Sequence, residues 1–336
     1  MNQMRMMCTV RQSAPVCLRL AAALGLLAAL IPVSGCRSSA PQVAVIPRTT
    51  GTALWDPMHV GVAETARAAA LPFYWNAPAD EGDSDKQLSL FEACRAKGYR
   101  GFIFAPIQTL AARTAVLETV ARRIPVVIVD DELGPPPGPY LSYVENDEGA
   151  GVQMAAQRIA HLLPHGGAIA VIGISSHLES GVSREEAFEK ALALTAPNVH
   201  IAERRYGDAV VTHQQQIAEQ ILHGASHVDL LLTLTAPATR GAFFAKIAST
   251  PRSTIPIVGF DQDMLLPVET GDVDAVVIQN TREIGRVAMR NLLANLHHEP
   301  VAGLTRIPPL LLTQKNLTAP EVTQLWQFND YPWSQP

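Results

Sequence analysis

The sequence predicts an α/β protein built from two doubly wound, parallel-sheet lobes. Two stretches carry most of that prediction: Ile124-Pro-Val-Val-Ile-Val-Asp130 and Ile255-Pro-Ile-Val-Gly-Phe-Asp261. Each is a short β-branched run with no polar alternation that stops on a carboxylate, the pattern of a strand buried on both faces. The second observation is the steady alternation of such runs with amphipathic helical stretches. It implies right-handed crossovers and helices covering both faces of each sheet. The third is the strand count: about five strands precede residue 147 and about five follow it, which suits two sheets better than one very wide one. Ligands of open α/β sheets bind at the carboxyl ends of the strands. One aspartate in each half therefore stands where a polar ligand would be held between the lobes.

In chain order the predicted strands are Val43–Pro47, Phe73–Asn76, Gly101–Ala105, Val126–Asp130, Tyr143–Asn146, Ala168–Gly173, Ile201–Tyr206, Leu230–Thr235, Ile257–Asp261, Ala275–Gln279 and Leu310–Thr313. Each is a short apolar run. Between them, the spacing predicts helices over Lys86–Lys97, Leu110–Arg123, Gly151–Leu163, Glu185–Leu194, Thr212–Leu222 and Glu283–Leu296. A further helix opens at Trp55, after the first strand. Pro135-Pro136-Pro137-Gly138-Pro139 reads as a rigid loop. The aromatic tail, residues 317–336, reads as a short helix packed on a lobe and then a frayed end.

Residues 1–35 read as an export signal, with arginines leading into an apolar stretch from Leu20 to Val33 that is short for a membrane span. Val33-Ser34-Gly35-Cys36 resembles the bacterial lipobox, which implies cleavage before Cys36 and acylation of its thiol. Residues 36–41 then form a lipidated tether, and the mature chain is held outside the cytoplasm by lipid, with no spanning helix. Cys8 and Cys17 leave with the signal, so Cys94 is the one remaining free thiol and reads as a buried structural residue. Removing the three arginines of residues 1–35 takes the net charge from −5 to −8. An acidic surface of that kind argues against nucleic acid as a partner.

Carboxylates and amides dominate the strand ends: Asp130-Asp131, Asn146-Asp147, Phe260-Asp261 and Gln279-Asn280, with Thr235 at another. Carboxylates accept hydrogen bonds from hydroxyls, while amides both donate and accept, so the set suits a polyol. Asn146, Asp147 and Thr235 fit helix N-caps equally well. Trp55 offers an aromatic face to a sugar ring, or a packing residue for the core.

Taken in order, these phrases resemble the type I periplasmic substrate-binding proteins of the ribose-binding kind, from about Val43 to Asn316. They are Leu54-Trp55…Gly61, Pro78-Ala-Asp-Glu-Gly-Asp83…Gln87, Gly98…Gly101-Phe-Ile-Phe-Ala-Pro106, the run ending at Asp130, Asn146-Asp147…Gly151, Arg184…Phe188, Val258-Gly-Phe-Asp261 and Gln279-Asn280. The resemblance implies three crossover hinge segments, near 146–147, 279–280 and 307–308. Lobe one is then residues 42–146 with 280–307, and lobe two is 147–279 with 308–316. It implies ligand contacts from Leu54, Trp55, Asp130, Asn146, Phe260, Asp261 and Gln279, with Trp55 and Phe260 sandwiching a ring and Arg184 as a further donor. Asp131 stands where the family often has an arginine, and Thr235-Ala236 where it usually has Asn-Asp. Ala105 takes the place of an asparagine.

The implied function is capture of a sugar-like small molecule by a monomer that delivers it to an ABC transporter permease. A sensor that presents its ligand to a chemoreceptor or histidine kinase is the alternative reading. An enzyme is not expected. The histidines are scattered, no metal or cofactor is called for, and G-x-G-x-x-G, Walker A and G-x-S-x-G motifs are absent. An acid/base pair of Asp130 and Asp261, acting on a glycoside, is the enzymatic alternative.

Overall fold

The computed structural model describes residues 43–326, apart from 52, 81, 131, 175–178, 209 and 225–226 and the side chains of 53 and 179–183. The signal, Cys36 and its tether up to residue 41, Asp131 and the end of the tail lie outside the described residues. Among the described residues, twelve strands follow in chain order. The first six are β1 (Val43–Ile46), β2 (Phe73–Trp75), β3 (Gly101–Phe104), β4 (Val126–Val129), β5 (Leu141–Asn146) and β6 (Gly167–Ile174). The others are β7 (Val199–Tyr206), β8 (Leu230–Thr233), β9 (Ile257–Phe260), β10 (Ala275–Ile278), β11 (Leu304–Ile307) and β12 (Leu310–Thr313). Two six-stranded sheets result, ordered β11-β5-β4-β3-β1-β2 and β12-β10-β9-β8-β6-β7. Both begin with the doubly wound order 2-1-3-4-5, counted within each sheet. The first sheet is parallel throughout; in the second, β12 runs antiparallel to β10.

The pleat explains why the strands read as unbroken apolar runs. Val43 and Val45 point into a core under the helices Asp56–Ala68 and Thr281–Leu296, while Ala44 and Ile46 point into a second core under Ser84–Ala96 and Thr109–Ala121. In the second sheet, Ala170 and Ile172 face one core and Ile169 and Val171 the other. The inner strands of both sheets therefore leave no face for polar alternation, which is confined to the edge strands β7 and β11.

The edges are where the structure adds to the sequence reading. β11 was not among the predicted strands: Leu304 is exposed and Arg306 half exposed, so an edge strand with one open side loses the apolar signature. The helix Ala236–Ala248 was also not predicted; Pro237 in its first turn and a run of small residues hide its period. The helix after β1 begins at Asp56, one residue past Trp55, which closes a short 3₁₀ turn over Ala53–Trp55.

The chain passes between the sheets three times: from β5 into the helix Glu148–Leu162, from β10 into the helix Thr281–Leu296, and from β11 to β12. The first and last passages are tied together, the Asp147 N–H donating to the Ile307 carbonyl at 2.9 Å. The tail folds back on the second sheet, where Val322 and Leu325 are fully buried. Cys94 is buried, and that burial pushes its thiol pKa up, as suits a packing residue.

Candidate functional site

A cavity of about 340 Å³ opens at the carboxyl ends of β5, β9 and β10. Leu54, Asn146, Arg184, Phe260, Asp261 and Gln279 line it, joined by Glu148, Arg240, Gln262 and Asp263. A larger open groove of about 530 Å³ lies beside Pro137 and Gly303, at the amino ends of β5 and β11. It holds none of the residues that the strand ends single out.

Each wall is held by bonds that local sequence provides. Asp147 caps the helix Glu148–Leu162, accepting from the Ala150 N–H at 2.9 Å, and so leaves Asn146 at the lip of the passage. Asn146 is 9 % exposed; its amide donates to Glu148 Oε1 at 2.8 Å, and its Oδ1 is buried with no partner among the described residues. A buried acceptor left open in this way costs about 1–3 kcal/mol until a donor arrives. Gln262 pins the end of β10 to the end of β9. Its side chain donates to the Gln279 carbonyl at 2.9 Å and accepts from the Gln279 N–H at 2.7 Å, leaving the Gln279 side chain to the cavity.

Two charge clusters stand in the walls. Arg184 binds Glu148 Oε2 through Nε and Nη2, both at 2.8 Å, and donates through Nη1 to the Leu234 carbonyl. Its guanidinium lies 4.9 Å from the centre of the Phe260 ring, covering one face by a cation–π contact. Arg240 grips Asp261 bidentately, Nε to Oδ2 at 2.8 Å and Nη2 to Oδ1 at 3.1 Å, and reaches Asp263 Oδ2 at 2.7 Å. The Asp261 side chain is 1 % exposed. Its hydrogen bond to Arg240 pushes the guanidinium pKa further up. Burial raises the carboxyl of Asp263, an effect that the charge of Arg240 opposes.

Three of the sequence-derived candidates, Trp55, Asp130 and Thr235, do not line the cavity. Trp55 is 3 % exposed and belongs to the core cluster of Val43, Val45 and Met58. With Trp55 in the core and one face of Phe260 under Arg184, an aromatic sandwich is not formed; Leu54 takes the position at the cavity. Asp130 follows β4 in a left-handed conformation (φ +77°), and its carboxylate faces Arg48 at 3.0 Å. Thr235 occupies the N-cap position of the helix Ala236–Ala248, where its carbonyl accepts from Thr239, without a side-chain cap bond. Asp131 lies outside the described residues.

Glu148, Arg240, Gln262 and Asp263 were not singled out from sequence. Three of them sit one or two positions from a residue that was, and their spacing after a buried strand was the available signal. Arg240 had none, since an arginine on a helix reads as surface charge. Among the described residues no cluster of histidine, cysteine or carboxylate side chains is arranged to hold a metal ion. No described helix is long and apolar enough to cross a membrane.

Comparison with known proteins matches residues 43–300 to the periplasmic binding protein domain. The chain is 25 % identical over 291 residues to the D-allose-binding periplasmic protein of Escherichia coli K12, covering 83 % of this chain and 92 % of that one. It is 25 % identical over 211 residues to a ribose import binding protein of Haemophilus influenzae, covering 62 % and 70 %. The sugar-binding protein of a Bacillus halodurans sugar ABC transporter shares the fold, with a TM-score of 0.75 at 20 % identity over 82 % of this chain and 97 % of that one. Two sheets of the same winding, three passages between them and a polar cavity at the strand ends agree with that match: the chain belongs to the periplasmic binding protein family, in its type I form.

Proposed function

We propose that this protein captures a sugar or sugar-like polyol between its two sheets and delivers it to an ABC transporter permease on the outer side of the cell membrane. The observation that carries the reading is the cavity itself. It sits at the carboxyl ends of strands, has the size of a small-molecule site, and offers an open amide acceptor, a buried carboxylate and the Phe260 side chain. The names of the allose and ribose relatives favour a monosaccharide. In this reading Asn146, Asp261, Gln279 and Arg184 take the hydroxyls, while Leu54 and Phe260 meet the C–H face of the ring.

The lobes, 42–146 with 280–307 and 147–279 with 308–316, close as rigid bodies about the three passages. Cys36 carries the lipid that keeps the binder beside its permease, and a monomer suffices for all these steps.

Calorimetric titration with a panel of aldoses, ketoses and polyols tests the reading. One sugar binds in the micromolar range or tighter, and Asp261→Ala weakens it by tenfold or more while the protein stays folded by circular dichroism. A wild-type protein that binds no member of the panel overturns the sugar reading. Unchanged affinity in the variant removes Asp261 from the site.

A further inference from the structure

Counting donors and acceptors around Asp261 separates this cavity from one in which a free carboxylate grips two hydroxyls. Oδ1 already accepts two hydrogen bonds, from Arg240 Nη2 at 3.1 Å and from the Asp263 N–H at 3.0 Å. Oδ2 accepts one, from Arg240 Nε at 2.8 Å. A carboxylate oxygen has about two lone-pair sites, so Asp261 keeps a single acceptor position for a ligand, on Oδ2. Arg240 has its own surplus. Nε spends its hydrogen on Asp261, and Nη2 spends its two on Asp261 and Asp263, which leaves both hydrogens of Nη1 without an acceptor among the described residues. The Arg240 side chain lines the cavity and is 37 % exposed. One wall therefore presents one acceptor and one charged donor fork side by side.

The geometry points to Arg240 as a specificity-determining ligand contact: its Nη1 donates to one oxygen of the bound molecule while Oδ2 of Asp261 accepts from the neighbouring hydroxyl. The inference rests on the sugar-like reading of the same cavity. A vicinal pair of oxygens answers such a donor–acceptor wall, one accepting and one donating. A ligand lacking the accepting oxygen leaves the guanidinium edge unanswered. Arg240 also holds Asp261 in place, so it acts on both halves of the pair. No new charge is asked of the ligand, since Glu148, Arg184, Arg240, Asp261 and Asp263 compensate one another to within one negative charge.

The test compares wild type, Arg240→Met and Arg240→Lys against the sugar found by titration and its set of monodeoxy analogues. Wild type should lose tenfold or more in affinity for one particular deoxy analogue. Arg240→Met should bind the parent sugar at least tenfold more weakly and no longer distinguish it from that analogue. The two losses are then not additive, which a merely structural defect would not produce. Arg240→Lys keeps a charge without the planar fork and should recover part of the affinity but not the discrimination. Equal discrimination by wild type and both variants overturns the assignment while the sugar reading stands. A wild type that binds no sugar overturns both.

Discussion

His59 shows how one side chain can set a pH limit on this fold. Its ring stacks on Trp75 at 4.1 Å between centroids, nearly parallel, and meets Phe73 edge-on at 5.6 Å. Burial lowers its pKa from 6.5 to about 4. The folded state then holds His59 neutral where the unfolded chain takes up a proton, so stability falls as pH drops from 6.5 toward 4. By pH 5 the loss from this group is about 2 kcal/mol. Denaturant titrations at neutral pH and at pH 5 should show it, and His59→Phe, which preserves the stack, should flatten the dependence. An unchanged slope in the variant would assign the acid sensitivity elsewhere. At the same scale, the site residues divide by what they touch. Asn146 and Asp261 were legible in sequence because a polar group at the end of a buried strand is conspicuous. Trp55 was misplaced because a tryptophan beside a strand end fits a ring platform and a core equally well until its neighbours are known.

Between elements, the helices Asp56–Ala68 and Thr281–Leu296 cross at close range. A Cβ on Gly61 would stand 2.0 Å from the Arg282 carbonyl oxygen, and one on Gly285 would stand 2.3 Å from that of Met58. Two glycines thus let two backbones touch, and Glu64 locks the crossing by pairing with both Arg282 and Arg286. Burial works against the charge of Glu64, yet the hydrogen bonds from the two arginines bring its pKa below the usual carboxylate range. Gly285→Ala would gain helix propensity but force the backbones apart, a net loss of about 1–3 kcal/mol. Gly149→Ala, whose added carbon would meet only Asp147 Oδ1 at 3.4 Å, should be neutral or stabilising. Thermal melts of the two variants check the contrast, and equal melting temperatures would refute the backbone-contact account. The sequence marked Gly61 but not its partner, since a close approach involves two distant segments and leaves no periodic trace.

For the molecule as a whole, closure is a matter of differential contact. A ligand shifts the lobes only by the contacts it gains in the closed form that the open form lacks. Leu54 follows β1, Asn146 stands at a passage, and Asp261 and Gln279 end strands of the second sheet, so a ligand in the cavity touches both sides. Small-angle scattering should therefore show a smaller radius of gyration on adding the sugar that titration identifies, with no change on adding a non-binding epimer. The same radius with and without ligand would refute closure as the response.

The doubly wound architecture could be read from sequence because burial on both faces of a parallel strand imposes a local constraint: every residue of the run must be apolar, and the run must end where solvent or ligand begins. The alternation of strands with helices, the carboxyl-end position of the cavity and the candidates Asn146, Phe260, Asp261 and Gln279 follow from that constraint; the strand order came only from the folded chain. The pairing of charges does not. Arg240 meets Asp261 and Asp263 across 21 and 23 residues, and Arg184 meets Glu148 across 36. These contacts depend on distances of about 3 Å, set by how helices pack on the second sheet. A guanidinium in a sequence is a charge without an address; the folded chain turns it into one side of a cavity wall.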